Sequence, residues 1–183
     1  MKIRPSEITL KNGEKVLLRS AVKSDSVELL KAIHQWCSET EFLLRTPMEC
    51  TMTLNDEEEL IEAYEIHPLR AMILAEKGGE IVASASIYPK RDLLKSAHRA
   101  VFGIAIHESE WGKGLGYEMT RKAIETAKLL GFRQIELEVF SENERAVKLY
   151  EKSGFTVCGR IPDAAKKYDG TFMDEILMIK KLF

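Results

Sequence analysis

The sequence predicts an α/β (α+β) fold, because strand-like and helix-like patterns alternate along the chain without an internal repeat or a low-complexity tract. Its 183 residues are enough for one well-buried domain and too few for two ordinary ones, so residues 1–183 are predicted to form a single domain. The apolar share of 45%, the charged share of 31% and the formal net charge of -2 are typical of a soluble globular protein. This charge balance favours neither nucleic acid nor a membrane as a partner.

The chain carries no pattern of export or of metal binding. It has no apolar N-terminal run of the signal-peptide kind and no stretch near the roughly 18 apolar residues of a membrane span. The cysteines, Cys37, Cys50 and Cys158, form no CxxC pair, and the four histidines show no HExxH spacing. We therefore expect a cytoplasmic protein with reduced cysteines and no metal site.

The first part of the chain predicts one strand and two helices. Residues 16–19 form a short apolar strand pattern, and apolar residues at helical spacing predict a helix over about residues 24–36. A second helix is predicted to begin near Thr53, because Thr53 and Asp56 have the spacing of a capping box.

The middle of the chain predicts a β-hairpin followed by a buried strand. Residues 71–76 and 81–88 are apolar runs on either side of a Gly-Gly turn, which is typical of a hairpin. Residues 99–106 are apolar at nearly every position, so we expect a central strand that is covered on both faces.

A long amphipathic helix is predicted over residues 115–130. It ends at Gly131, a residue suited to the left-handed conformation that closes many helices. Its predicted buried face consists of Leu115, Met119, Ala123, Ala127 and Leu130.

The C-terminal part predicts a strand, a helix and two closing strands. Residues 134–140 alternate between apolar and charged side chains, as a half-buried strand does. A helix is predicted over about residues 143–153 and ends at Gly154. Residues 155–161 and 171–179 are predicted to complete the sheet.

A glycine-rich turn, Trp111-Gly-Lys-Gly-Leu-Gly116, separates the apolar strand from the long helix. Glycines at positions 112, 114 and 116 allow the backbone to approach an anion closely. The first N–H groups of the helix have no partner inside the helix and lie at the positive end of its dipole. We therefore interpret this turn as a phosphate-binding loop, to which Lys113 adds a positive charge.

Three kinds of phosphate-binding loop compete for this turn. A Walker A loop is excluded because Gly114, rather than Ser or Thr, follows Lys113. The dinucleotide fingerprint GxGxxG lacks its last glycine because position 117 is Tyr, although Glu136 lies where a ribose-binding acid would be expected. Gly114 and Gly116 fit the second half of a third form, Arg/Gln-x-x-Gly-x-Gly/Ala. Alternatively, the three glycines bind no phosphate and only allow a tight turn between the strand and the helix.

A second motif begins at Asn143 and includes Ala146, Leu149 and Tyr150 before the pair Gly154-Phe155. Taken alone, Asn143 is a good residue to cap a helix. Tyr150 alone is typical of the buried face of an amphipathic helix.

Together, the two motifs resemble the GNAT superfamily of N-acetyltransferases. In that family a central strand leads into a pyrophosphate loop, and a later helix carries Asn-x-x-Ala-x-x-Leu-Tyr before Gly-Phe. The resemblance is clearest over residues 99–160. Trp111 stands where the family usually has Arg or Gln, and this loop, with residues 168–178, is similar to the branch of ribosomal-protein alanine and polyamine N-acetyltransferases.

The resemblance implies a mixed, mostly antiparallel sheet of six to seven strands, splayed after its central strand, with helices on both faces. It also implies an acetyl-CoA-dependent N-acetyltransferase, in which a primary amine attacks the thioester directly. The amine belongs to a small amine, an amino acid or a peptide N-terminus. Tyr150 is then the expected general acid. The expected cofactor-binding residues are Ile104, Ile106, Trp111, Gly112, Lys113, Gly114, Leu115, Gly116, Tyr117 and Asn143.

The resemblance leaves the general base and the acceptor open. Candidate bases are Glu138, His107, Glu39 and Glu41. The acceptor site is expected between the first two helices, their connection over residues 39–53 and a loop over residues 162–170. A non-catalytic acyl-CoA sensor and a Rossmann-type nucleotide binder stay as alternative functions, and a homodimer stays as an alternative to a monomer.

Overall fold

The computed structural model describes residues 2–183 and contains one mixed sheet with helices on both faces. The eight strands follow the order β1-β2-β3-β4-β5-β6-β8-β7, and every neighbouring pair is antiparallel except β5 and β6. The strands are β1 Ser6–Thr9, β2 Lys15–Ser20, β3 Ala71–Lys77, β4 Glu80–Pro89, β5 Arg99–Ile106, β6 Gln134–Phe140, β7 Thr156–Lys166 and β8 Phe172–Lys181. The helices are α1 Ser26–Glu39, α2 Leu54–Ile66, α3 Leu115–Leu129 and α4 Glu144–Lys152.

The fold class is as predicted, with eight strands in place of six to seven. The additional strand is β1, which pairs with β2 at the edge of the sheet. It has four residues, none of them fully buried, and Ile8 is its one apolar side chain. A short, mostly polar edge strand has almost no periodicity, which is why the sequence pattern did not reveal it.

The first two helices cover one face of the sheet. Leu29 and Trp36 of α1 and Ile61 of α2 pack against Leu74 of β3 in a buried cluster. The predicted cap of α2 is present, because the Thr53 hydroxyl accepts a hydrogen bond from the Asp56 N–H at 3.2 Å. In return, the Asp56 carboxylate accepts one from the Thr53 N–H at 2.8 Å.

The other two helices cover the opposite face. The predicted apolar face of α3 is almost completely buried there, and Gly131 has the left-handed conformation with a φ of 84°. The main core cluster joins α3 to Tyr150 of α4 and to alternate side chains of β5 and β6. The sheet is therefore the middle layer of three.

The central strands separate after only three residue pairs. The parallel pairing of β5 with β6 joins Arg99, Ala100 and Val101 to residues 134–136 and then stops, although both strands continue. This is the predicted splay. It also corrects the expectation that residues 99–106 are covered on both faces, because the residues beyond Val101, except Phe102, are only partly buried.

The predicted loop over residues 162–170 is mostly strand. β7 continues to Lys166 and pairs with β8, with an irregular register between Ile161 and Ala165. Asp163 lies at this irregularity with a φ of 52°. The two strands form a long hairpin, whose pairing partner lies beyond the reach of a local sequence pattern.

None of the helices within residues 2–183 has both the length and the apolar character that a bilayer crossing requires. The three cysteines carry free thiols, with Cys37 and Cys50 buried and Cys158 exposed.

Candidate active site

The splay between β5 and β6 opens a cleft of about 600 Å³. Helices α3 and α4 line it on one side of the sheet, and the end of α1 with the residues after it lines the other side. Nine of the residues expected to bind cofactor or to act in catalysis line this cleft. They are Ile104, Ile106, Trp111, Gly112, Gly114, Gly116, Tyr117, Asn143 and Tyr150.

The backbone of β5 presents hydrogen-bonding groups to the cleft. The His107 N–H donates to the Val82 carbonyl at 2.9 Å, so His107 points its backbone groups toward β4. Because these directions alternate along a strand, the backbone groups of Ile104 and Ile106 point away from β4 into the splay. The Ile106 carbonyl accepts a hydrogen bond from Trp111 Nε1 at 2.9 Å. The N–H groups of both isoleucines lie beyond the β5–β6 pairing and have no acceptor in the described part of the chain.

The glycine turn depends on backbone conformations that other residues rarely adopt. Gly112 and Gly114 have φ values of 78° and 97°. Gly116 has no positive φ, but a Cβ on it would lie 3.0 Å from Leu149 Cδ2 and 3.2 Å from Ile106 Cδ1. The first two glycines therefore shape the turn, and the third lets α3 pack closely against α4 and β5.

The turn presents a series of free backbone donors. The N–H groups of residues 112–116 have no acceptor within residues 2–183. The Tyr117 N–H differs from the expectation, because it donates to the Gly114 carbonyl at 3.1 Å. The start of α3 thus presents successive free amides, an arrangement that favours binding of an anion.

Two expected cofactor-binding residues do not line the cleft. The side chain of Leu115 is fully buried in the core. The Lys113 ammonium lies 3.3 Å from Glu110 and 3.4 Å from Glu14. Burial opposes the charged form of Glu110, but hydrogen bonds from Lys77 and Lys113 outweigh it and hold the pKa of Glu110 below its ordinary value. The charge of Lys113 therefore neutralises a carboxylate beneath the turn.

Three other cations, which the sequence patterns did not predict, lie at the cleft. The Arg145 guanidinium stacks over the Trp111 ring at 3.7 Å from its centroid. The Lys11 side chain lies along Gly114, and the Lys152 ammonium lies 5.1 Å from the Tyr117 ring centroid. Arg145 is part of the second motif, but its contact with Trp111 depends on how α4 packs.

Asn143 and Tyr150, the two main residues of the second motif, both line the cleft. Asn143 lies at the beginning of α4, and Tyr150 lies on the buried side of this helix. Asn143 caps α4, and its Oδ1 accepts a hydrogen bond from the Ala146 N–H at 3.2 Å, which leaves its amide Nδ2 free. Tyr150 is 7% exposed and packs edge-on against Phe102 and Phe155. This burial raises the pKa of Tyr150 to about 12.

The candidate bases separate into three places. Glu138 lines the cleft, whereas Glu41 lines a neighbouring pocket. His107 and Glu39 line neither, because they belong to a hydrogen-bonded group with Gln35 behind the turn. His107 Nδ1 accepts from the Ser109 N–H, and a Glu39 oxygen accepts from the Glu108 N–H at 2.8 Å, so both residues hold the turn in place.

The neighbouring pocket lies between the α1–α2 connection and the β7–β8 hairpin, where the acceptor site was expected. It shares four lining residues with the cleft, which are Thr40, Leu43, Leu44 and Phe140. Two of its cations, Arg45 and Lys166, make no ion pair within residues 2–183. Arg45 donates to Met52 Sδ at 3.1 Å, and the Lys166 ammonium lies 6.0 Å from the Phe172 ring centroid.

Curated relatives of the chain include amino-acid acetyltransferases. The L-methionine sulfoximine/L-methionine sulfone acetyltransferase of Salmonella typhimurium is 24% identical over 107 residues, 58% of this chain. That match spans 62% of the relative's length, less than two thirds. The L-amino acid N-acetyltransferase AaaT of Escherichia coli is 31% identical over 129 residues, which cover 68% of this chain and 74% of AaaT.

Solved structures with the same fold include an acetyltransferase of the GNAT family from Streptococcus pneumoniae. It has a TM-score of 0.86 and 28% identity and covers 91% of this chain and 98% of its own. The structure of yncA from Salmonella typhimurium, solved with its cofactor acetyl-CoA, has a TM-score of 0.81 and 21% identity, covering 92% and 94%. The family model described as Acetyltransferase (GNAT) family matches residues 30–155, and the chain belongs to this family.

Proposed function

We propose that residues 1–183 form one acetyltransferase domain that transfers the acetyl group of acetyl-CoA to a primary amine. One observation carries the proposal: Gly112, Gly114 and Gly116, whose amides are free, line the same cleft as the side chain of Tyr150. An anion-binding turn and a protonated acid in one cleft are what transfer from a phosphate-bearing thioester requires.

The residues of the cleft fit coenzyme A along its whole length. The free amides of the turn would bind the pyrophosphate, assisted by Arg145, Lys11 and Lys152. The backbone of Ile104 and the N–H of Ile106 would pair with the pantetheine arm, as an added strand pairs with a sheet edge. The free amide of Asn143 would donate to the same arm. Coenzyme A supplies the activated acetyl thioester.

Tyr150 would act as the general acid. Because burial raises the pKa of Tyr150 to about 12, its phenol is still protonated at pH values of about 8 to 10, where amine acceptors lose their proton. The apolar surroundings formed by Phe102 and Phe155 also disfavour a thiolate nearby, which increases the affinity of the leaving sulfur for the proton.

We favour an amino acid as the acceptor over a simple amine or a peptide N-terminus. The relatives named above act on amino acids, and the pocket that adjoins the cleft contains Arg45 and Lys166, which make no ion pair within residues 2–183. A carboxylate bound by these cations would place the α-amine toward the cleft. The partner is thus a small molecule, and we place the reaction in the cytoplasm, as the sequence predicted.

The test combines ligand binding with a turnover screen. We expect acetyl-CoA to raise the melting temperature and a nicotinamide cofactor to leave it unchanged, because only a ligand of the native state stabilises it. Thiol release should then appear with amino acids in a panel that also contains polyamines and N-terminal peptides. Binding without thiol release would indicate the sensor alternative, and stabilisation by the nicotinamide cofactor alone would indicate the nucleotide binder.

Replacement of Tyr150 by Phe tests the assigned acid. Removal of the phenolic proton should lower kcat by about 100-fold or more, as loss of a general acid does. The affinity for acetyl-CoA, measured by calorimetry, should change little because the ring and its packing remain. Full turnover by Tyr150→Phe would disprove the assignment.

A further inference from the structure

Two carboxylates lie together at the cleft, on the face of the sheet that carries α1 and α2. In the antiparallel pairing of β6 with β8, Glu138 lies opposite Leu177, and Phe140 lies opposite Glu175. Side chains alternate along strands and opposite residues share a face, so Glu138 and Glu175 project to the same face as diagonal neighbours. Both line the cleft.

Tyr150 approaches the cleft from the other face of the sheet. Leu137 and Val139 alternate with Glu138 along β6 and belong to the core cluster that contains Tyr150. The carboxylate pair and the phenol therefore flank the splay from opposite sides. An amine could approach a thioester in the splay from one side, while the leaving sulfur receives a proton from the other.

Glu175 is a half-buried carboxylate without a hydrogen bond or an ion pair within residues 2–183. Burial raises its pKa, the charge of Glu138 raises it further, and Lys90 lowers it. Glu138 differs, because the Lys90 ammonium lies 3.3 Å from its Oε1. An unpaired carboxylate that is partly removed from water, beside a second negative charge, favours binding of a cation.

Few other charged groups act on Glu175. Apart from Glu138, the charge that acts on it is that of Lys90, which directly follows β4. The Tyr88 phenol of β4 also lines the cleft. The α1–α2 connection contributes only uncharged side chains to the cleft, at residues 40 and 42–44. On β8 itself, Asp174 projects to the other face and accepts from Arg160 Nε at 2.6 Å.

We propose that Glu175, assisted by the charge of Glu138, binds the ammonium group of the acceptor and accepts its proton. This inference rests on the proposed function. The acceptor is then a primary ammonium compound that donates to Glu175 before it attacks.

The proton balance of the reaction is complete with these groups. One proton passes from the ammonium to Glu175, and the free lone pair of nitrogen forms a bond with the thioester carbonyl carbon. The C–S bond breaks, and sulfur takes the proton of Tyr150. The second nitrogen proton is lost as the amide forms and restores Tyr150 through solvent. Glu175 then releases its proton to water, so one ammonium and one thioester give one amide, one thiol and one proton.

The first test is the Glu175→Gln variant with an amino acid that the wild type acetylates. We expect kcat/KM for the amine to fall by about 100-fold or more at neutral pH. The loss should shrink as the pH rises toward the pKa of the free amine, at about 8 for an α-amine, because deprotonated acceptor then comes from solution. The affinity for acetyl-CoA should stay at the wild-type value. Glu175→Asp should recover part of the activity.

The matched control is Asp174→Asn, which changes the adjacent carboxylate on the opposite face and should keep the wild-type pH profile. A Glu175→Gln profile that matches the wild type at all pH values would overturn the proposal. So would an equal loss at every pH, because that result indicates a structural role. Absence of transfer by the wild type to any amine would instead contradict the proposed function.

A second measurement does not depend on turnover. Titration of the Glu175 carboxyl by carbon NMR in the free protein should give a pKa above the ordinary value for glutamate. The Glu138→Gln variant should shift that pKa downward, and Lys90→Met should shift it upward, because each change removes one of the charges that act on Glu175. A Glu175 pKa that neither variant moves would also overturn the proposal.

Discussion

At the scale of single residues, Trp111 and Arg145 form a stacked pair beside the glycine turn. Trp111 stands at the position of the usual Arg or Gln, and its indole N–H donates to the Ile106 carbonyl. Its ring lies beneath the Arg145 guanidinium, which keeps a positive charge beside the turn. Desolvation lowers the pKa of Arg145, but arginine remains protonated at any physiological pH.

We predict that Arg145→Ala weakens the binding of coenzyme A by about 10-fold, the value of one charge-assisted hydrogen bond to phosphate. Calorimetry at two salt concentrations checks this, because the loss should be smaller at high salt, where charges are screened. The control is Lys148→Ala, which removes an exposed cation of the same helix that pairs with Glu144. Equal affinities of wild type and Arg145→Ala would show that the stacked cation does not contact the ligand.

At the scale of elements, the glycine turn and the end of α3 offer a matched pair of glycines. Gly112 and Gly131 have φ values of 78° and 84°, and an added Cβ at either one would meet nothing within 4 Å. Substitution by alanine therefore produces the same backbone strain at both positions. Only Gly112 lies where coenzyme A is proposed to bind.

We predict that Gly112→Ala and Gly131→Ala each lower the free energy of unfolding by about 1 kcal/mol, because L-residues rarely adopt a positive φ. Only Gly112→Ala should also weaken acetyl-CoA binding. Chemical denaturation measures the first effect, and calorimetry measures the second. If both variants lost affinity equally, the effect would come from general destabilisation and not from the turn.

At the scale of the whole molecule, a partly buried ionic group joins the sheet to the layer of α1 and α2. Arg19 of β2 donates to both oxygens of Asp25 at 2.7 and 2.8 Å and to Glu76 of β3 at 2.8 Å. Asp25 also accepts from the Val22 N–H just before α1. Burial opposes the charge of Asp25, but these hydrogen bonds outweigh it and lower its pKa.

We predict that Asp25→Asn lowers the free energy of unfolding at pH 7 by about 2 kcal/mol, because Arg19 loses the carboxylate that binds it at two atoms and keeps only Glu76 as a charged partner. A carboxylate whose pKa is lower in the folded state stabilises the fold above its unfolded pKa, near 3.9, and loses this effect as the pH falls. The difference between wild type and variant should therefore shrink below about pH 4. Urea unfolding at pH 7 and pH 3 measures both values. A constant difference would contradict the linkage.

Much of the fold was predictable because its elements are specified locally. The Thr53–Asp56 cap, the apolar face of α3 and the glycine that ends α3 each depend on residues a few positions apart. The edge strand β1 and the full length of β7 were not predictable in this way. A strand is stabilised by a partner that is distant along the chain, so its own residues contain only part of the information.

By itself, the sequence determined the order of the elements, the glycine turn and the motif that ends at Tyr150, because periodicity and turn chemistry are local properties of the chain. Only the tertiary structure decided which groups meet. It paired His107 with Glu39 away from the cleft, stacked Arg145 on Trp111 and brought Glu175 beside Glu138. Those neighbours lie far apart along the chain, and they come together through strand register and helix packing, which are set by the burial of the whole core.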